Sequence, residues 1–209
     1  MYGNAVAYAL PLGYRTLGVF KSNQDGVNYT LIYGETDTKG TLFYVNLASK
    51  VEVVIDDLSK TGECNGITMT STAFDVFVFT NGKEVRTVAF TSDSAYADVI
   101  KDHNPVEFSQ GYIATISAED YEGKALEWLS MTEWNGFLVV ASQYGVNASH
   151  QNDVYTWNDD PQDKADAWYI RFSKKVTAVY GFTGGLYIFT QDDCYGGVLT
   201  PISNRIYEI

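Results

Sequence analysis

The segment Phe74–Phe90 constrains this chain more than any other. FDVFVFT alternates, Asn81-Gly82 follows, and KEVRTVAF resumes the strand pattern. An Asn-Gly pair between two such runs is the strongest local signal for a β-hairpin. Phe74, Val76 and Val78 fall on one face, and Phe77 and Phe79 on the other. Both faces are apolar, so both must be covered, which calls for stacked sheets rather than a meander with one face in water.

The same logic extends along the chain. Strands are expected over residues 28–34, 41–46, 50–55, 66–71, 126–132, 136–142, 153–157, 168–172, 176–182, 185–190 and 195–199. About fifteen short strands with turn signals every 8–12 residues suit propellers, barrels and sandwiches. One short helix is expected near residues 93–102: Ser92 or Asp93 caps it, Ala95, Tyr96, Val99 and Ile100 form its stripe, and Pro105 follows it. Residues 143–152 and 158–167, rich in Gly, Asn, Ser and Asp, are expected to be exposed loops. The segment 92–125 is the looser connection within one β domain over residues 1–209.

A repeat narrows the class. Trp134-Asn135-Gly136-Phe137-Leu138 matches Phe182-Thr183-Gly184-Gly185-Leu186, with weaker copies at 39–45 and 73–79. An offset of 49 from Gly136 to Gly185 lies in the range of propeller blades. The expected fold is therefore all-β, with propeller-like antiparallel blades; a β-sandwich is the alternative. If φ is positive at Gly136, a β-branched residue there destabilises the fold.

Charge excludes some partners. Fourteen basic against 26 acidic residues give a net of −12. That opposes tight binding to nucleic-acid phosphates or to anionic membrane. The longest apolar run, Phe137 to Ala141, is five residues, too short to span a bilayer as a helix, and no basic n-region or long apolar core marks a signal peptide at the start. Cys64 and Cys194 are expected to be free thiols. With two histidines and two scattered cysteines, no zinc site and no cofactor is expected.

Catalytic patterns are sparse. His103 and His150 lack a flanking nucleophile motif, and neither G-x-S-x-G, G-x-x-x-x-G-K nor G-x-G-x-x-G occurs. The pairs Asp56-Asp57, Asp159-Asp160 and Asp192-Asp193 point opposite ways on an extended chain, as solvated turns do. Six oxygen donors, Asp153, Asn158, Asp159, Asp160, Asp163 and Asp166, crowd one window without EF-hand spacing. A solvated acidic loop explains them. Sixteen tyrosines and four tryptophans exceed the needs of one small core and suit interfaces or carbohydrate stacking.

The stretch from Glu119 to Thr200 resembles a known family. Asp120-Tyr121-Glu122-Gly123-Lys124 is similar to its acidic-glycine turn, Trp134–Ala141 to its "aromatic-N-G-R-L-W-V-A" strand, and Asp153–Asn158, with Trp168 beyond, to its "R-V-Y-W-S" strand. Val176–Thr190 is similar to the next blade's strand pair, and Phe77–Gly82 to its hairpin. Phe137 stands where arginine is usual, and Thr156-Trp157 reverses the usual order. The family is that of phage short-tail and neck virion proteins with a propeller-like β domain, of nozzle, tail tubular or DNA-stabilisation type. The resemblance implies a non-enzymatic virion component forming a homo-oligomeric ring. It would contact portal, adaptor or other tail proteins and pass DNA without gripping it. Trp134, Asn135, Gly136, Trp157, Trp168, Gly185 and Leu186 would be its architectural residues, and the 143–152 and 158–167 loops its interface or lumen loops. A carbohydrate- or receptor-binding module and a propeller glycosidase are the alternatives.

Overall fold

The computed structural model describes residues 8–46, 50–70, 74–119, 123–157, 167–183 and 185–197. Among them sixteen strands and one helix build four antiparallel sheets, with no closed barrel. Sheet I runs β1 (Arg15–Gln24), β2 (Val27–Glu35), β3 (Gly40–Val45), β4 (Val51–Leu58) in sequence order. Sheet II holds β5 (Asn65–Thr70), β6 (Asp75–Thr80), β7 (Val85–Ala89), β8 (Val106–Phe108) and β9 (Gly111–Thr115) in the order β5-β6-β7-β9-β8, with α1 (Ser94–Ile100) inserted after β7. Sheet III is the meander β10 (Ser130–Trp134), β11 (Phe137–Ser142), β12 (Gly145–Ala148), β13 (Trp168–Arg171). Sheet IV is β14 (Val176–Phe182), β15 (Gly185–Thr190), β16 (Cys194–Gly197).

Apolar layers separate the sheets. Leu31, Tyr33 and Leu42 of sheet I meet Phe77, Phe79 and Val88 of sheet II. The opposite face of sheet II, with Val76 and Val78, meets Met131, Leu138 and Val140 of sheet III. The other face of sheet III, with Phe137, Val139 and Ala141, meets Val179, Leu186 and Ile188 of sheet IV. The two apolar faces of the 74–79 strand are thus both covered, as its alternation required. Three layers between four sheets exclude the two-sheet sandwich.

The first strand of each sheet is innermost. β1 packs on β5, β5 on β10, and β10 on β14. Leu17 on β1, Cys64 before β5, Leu129 before β10 and Val176 on β14 line one open pocket of about 550 Å³. Meander sheets with their first strands gathered round a common axis are the propeller-like plan. Close approach at the junction of sheets III and IV needs a glycine: a Cβ at Gly181 would press on the carbonyl oxygen of Glu133. Its N–H donates to Thr132 Oγ1 at 3.0 Å.

Several expectations need correction. Strand β1 lies outside the expected set, although Asp25-Gly26, both at positive φ (50° and 77°), forms the two-residue turn into β2. Its buried polar residues, Ser22 and Gln24, break the alternation. The short strands β8 and β9 lie outside it too. The Asn81-Gly82 turn is a four-residue loop, because Thr80 pairs with Val85. Residues 143–152 are not an exposed loop: Gly145–Ala148 form a wholly buried strand. Small polar side chains satisfy themselves inside, Asn147 Nδ2 donating to Ser142 Oγ at 3.3 Å and Ser149 Oγ accepting the Leu138 N–H at 3.0 Å. Residues 153–157 form a turn rather than a strand, because the Asp153 carboxylate accepts from Tyr155 N–H and Thr156 Oγ1, each at 2.8 Å. Leu126 and Trp128 are core residues outside any strand, which begins only at Ser130. In α1, capped by Asp93, Tyr96 and Ile100 are buried, whereas Ala95 and Val99 are exposed.

Candidate assembly surface

Sheet IV alternates along β15 and, past a bulge, along β14, and among the described residues the alternation leaves one face bare. In β15, Leu186 and Ile188 are buried while Tyr187 and Phe189 face outward. In β14 a bulge between Val176 and Ala178 puts Val176 and Val179 on the inner side and Tyr180 on the outer. The register sets Tyr180 opposite Tyr187, and Phe189 between Ala178 and Cys194. Tyr180, Phe182, Tyr187 and Phe189 are 60 %, 41 %, 42 % and 39 % exposed on this face. They are not scattered. Phe182 and Tyr187 stack with centroids 4.9 Å apart, and Tyr187 and Phe189 lie 6.4 Å apart. A cluster of exposed rings of this kind is a candidate contact surface. Its rim is charged: Lys174 Nζ lies 2.6 Å from Asp193 and 3.6 Å from Asp192. The hydrogen bond from Lys174 to Asp193 holds the ammonium above its ordinary pKa.

The outer face of sheet I is the other end of the stack. Ile32, Phe43 and Val45 are covered there by Leu10, Tyr14 and Val51. Val19, opposite Ile32, and Val53, opposite Phe43, stay 63 % and 55 % exposed.

The residues singled out in the sequence lie elsewhere in the fold, in hairpin turns and in the layers between sheets. Asn135 (φ 51°) and Gly136 (φ 84°) form the two-residue turn between Trp134 and Phe137. The turn is pinned from outside: Asn152 N–H donates to Gly136 O at 2.8 Å, and Gln151 Nε2 to Asn135 O at 2.7 Å. Trp134, Leu186 and Trp168 share the core layer between sheets III and IV, and the two indoles meet edge to face at 6.3 Å. Trp157 belongs to a different layer, where it meets Trp128 edge to face and donates from Nε1 to Val154 O at 2.9 Å. Gly185 pairs with Phe182 as Phe137 pairs with Trp134, so the structural counterpart of Gly185 is Phe137 rather than Gly136. Gly184 and the 158–166 loop, with five of the six oxygen donors and Asp159-Asp160, lie outside the described residues, as do Asp120-Tyr121-Glu122. The sequence reading missed the sheet IV aromatics as a set, although Tyr180/Phe182 and Tyr187/Phe189 repeat at the period of two that places them on one face.

A cleft of about 990 Å³ opens between sheets II and III, lined by Arg86, Asn147, Tyr155, Trp157 and Tyr169 among others. His103 lies at its edge with its ring 4.6 Å from that of Tyr155. His150 Nδ1 is 3.1 Å from Gln151 O. Asp56 pairs with Lys39 at the surface, and Asp192 with Lys174. Among the described residues no group of three or more His, Cys, Asp or Glu is placed to hold a metal ion. Among them, too, no helix is long and apolar enough to cross a membrane. Cys64 and Cys194 are free, and burial pushes the Cys64 thiol up. Compared with known protein families and with curated proteins, the chain matches none of either.

Proposed function

We propose that this chain is a non-enzymatic structural protein of a phage virion. It is a tail or neck component that assembles into a homo-oligomeric ring joining portal to tail, and through that ring DNA is retained and then passed. One observation carries the reading: the aromatic outer face of sheet IV, at the end of a stack whose every internal layer is apolar face on apolar face. Such a face is stabilised by covering it. The net charge of −12 supports a conduit role, because like-charge repulsion keeps a duplex from adhering to the wall. The resemblance of Trp134–Ala141 to the virion family supports a virion assembly as its setting. Light scattering at rising protein concentration, alone and with a portal-type ring, tests it. A discrete multimer is expected; a strict monomer under both conditions overturns the reading.

A second reading, a carbohydrate- or receptor-binding module, is favoured by the cleft between sheets II and III. The rings of Trp157 and Tyr169 line it, and Arg86 offers hydrogen-bond donors. Titration with a panel of oligosaccharides, followed by tryptophan fluorescence, tests it. Saturable quenching that Trp157→Ala abolishes supports this reading, and no quenching by any member removes it.

A further inference from the structure

We infer that the aromatic outer face of sheet IV packs on the outer face of sheet I of a second copy of this chain, so that the sheet stack continues from one molecule into the next. The inference rests on the assembly reading above and specifies its contact.

The geometry comes from continuity with the interfaces already inside the molecule. Sheet I packs on II, II on III and III on IV, each time one apolar face against the next. Among the described residues the series has two ends, one bare and one covered in part by Leu10, Tyr14 and Val51. One is Tyr180, Phe182, Tyr187 and Phe189 on sheet IV; the other is Val19 and Val53 on sheet I, beside the covered Ile32 and Phe43. A broad aromatic face matched to β-branched residues is a favourable sheet-face pairing. The two ends are chemically different, so the contact joins unlike surfaces. Repeated contacts of that kind build closed rings or open filaments.

Cys194 is a native probe for this contact, since it is exposed and pairs with Phe189 across the β15–β16 ladder. Cys64 is half-buried against the layer between sheets I and II and competes poorly. Two variants place a partner thiol on sheet I, Val53→Cys and Val19→Cys. Each is oxidised mildly at concentrations where light scattering reports assembly, and the products are separated without reductant and mapped by mass spectrometry. The expected result is a disulfide between Cys194 and the introduced cysteine of another chain, in at least one variant, reduced about tenfold or more by adding Tyr187→Lys, which sets a charge in the contact. Three results overturn the inference while leaving assembly intact: a link within one chain, links only between two Cys194 residues, or no link from either variant in an assembled sample. A sample that never assembles overturns the assembly reading itself.

Discussion

The side chain of Gln24 stands in for a missing strand beside Phe90. Its Oε1 accepts the Phe90 N–H at 2.8 Å, and its Nε2 donates to the Val88 carbonyl at 3.0 Å. Both groups lie at the buried end of β7, and Gln24 itself is 2 % exposed. One amide thus joins sheet I to sheet II where no backbone ladder runs. Gln24→Leu leaves a buried donor and a buried acceptor unmatched, and an unmatched buried polar group costs about 1–3 kcal/mol. Urea denaturation should show a loss of about 2–4 kcal/mol with an unchanged m-value.

The carboxylate of Glu35 sets an acid limit to stability. Burial pushes its carboxyl up, but the N–H groups of Gly62 and Thr61, the Tyr33 hydroxyl and the Lys60 charge outweigh burial and hold it below its ordinary 4.5. A group lowered on folding contributes stability above the unfolded carboxyl range. That contribution disappears as pH falls through the folded value. Glu84, bonded to Ser59 and Asn81, is lowered in the same way. Stability measured from pH 7 downward should therefore fall below about pH 4.5. Glu35→Gln should lower stability at pH 7 and flatten that acid limb.

Gly181 keeps sheets III and IV at their spacing. An alanine methyl there would collide with the backbone of Glu133 and touch Trp134 Cβ at 3.0 Å. The obstacle is space rather than conformation, since φ is not positive at Gly181. Backbone cannot step aside as a side-chain tip does, so Gly181→Ala should cost about 1–3 kcal/mol. Thermal melting of the variant checks this.

Gly136 is constrained by conformation as well as by space. With φ at 84°, a side chain is strained, and its Cβ would lie 2.5 Å from Asn152 Oδ1. Gly136→Val should lower stability by at least about 1–2 kcal/mol. Gly136→Asn should cost less, because asparagine tolerates the left-handed region. Comparing the two melting curves separates strain from crowding.

The hydroxyl of Tyr155 ties three elements together. It lies 2.7 Å from both Thr87 Oγ1 on β7 and Tyr96 OH on α1. Burial pushes its phenol far above the ordinary value. Tyr155→Phe keeps the ring against His103 but removes both bonds, and should cost about 1–3 kcal/mol in chemical denaturation.

What the sequence determined by itself was the class of fold and many of its turns. Alternation at Phe74–Phe79 required cover on both faces, and Asn135-Gly136 announced a two-residue hairpin, because both signals depend only on neighbours along the chain. The tertiary structure alone decided the rest. Gly145–Ala148 reads as a loop and is a buried strand, since whether Asn147 and Ser149 can be buried depends on Ser142 and Leu138 being there to bond them. Trp134 and Trp168 come together in one layer while Trp157 goes to another, because strand pairing and the stacking of sheets set which residues meet across long separations. The bare face of sheet IV is the clearest case. Tyr180, Phe182, Tyr187 and Phe189 alternate in the same manner as covered strands do, and only the stacking order of the sheets determines that this face has no neighbour within the described chain.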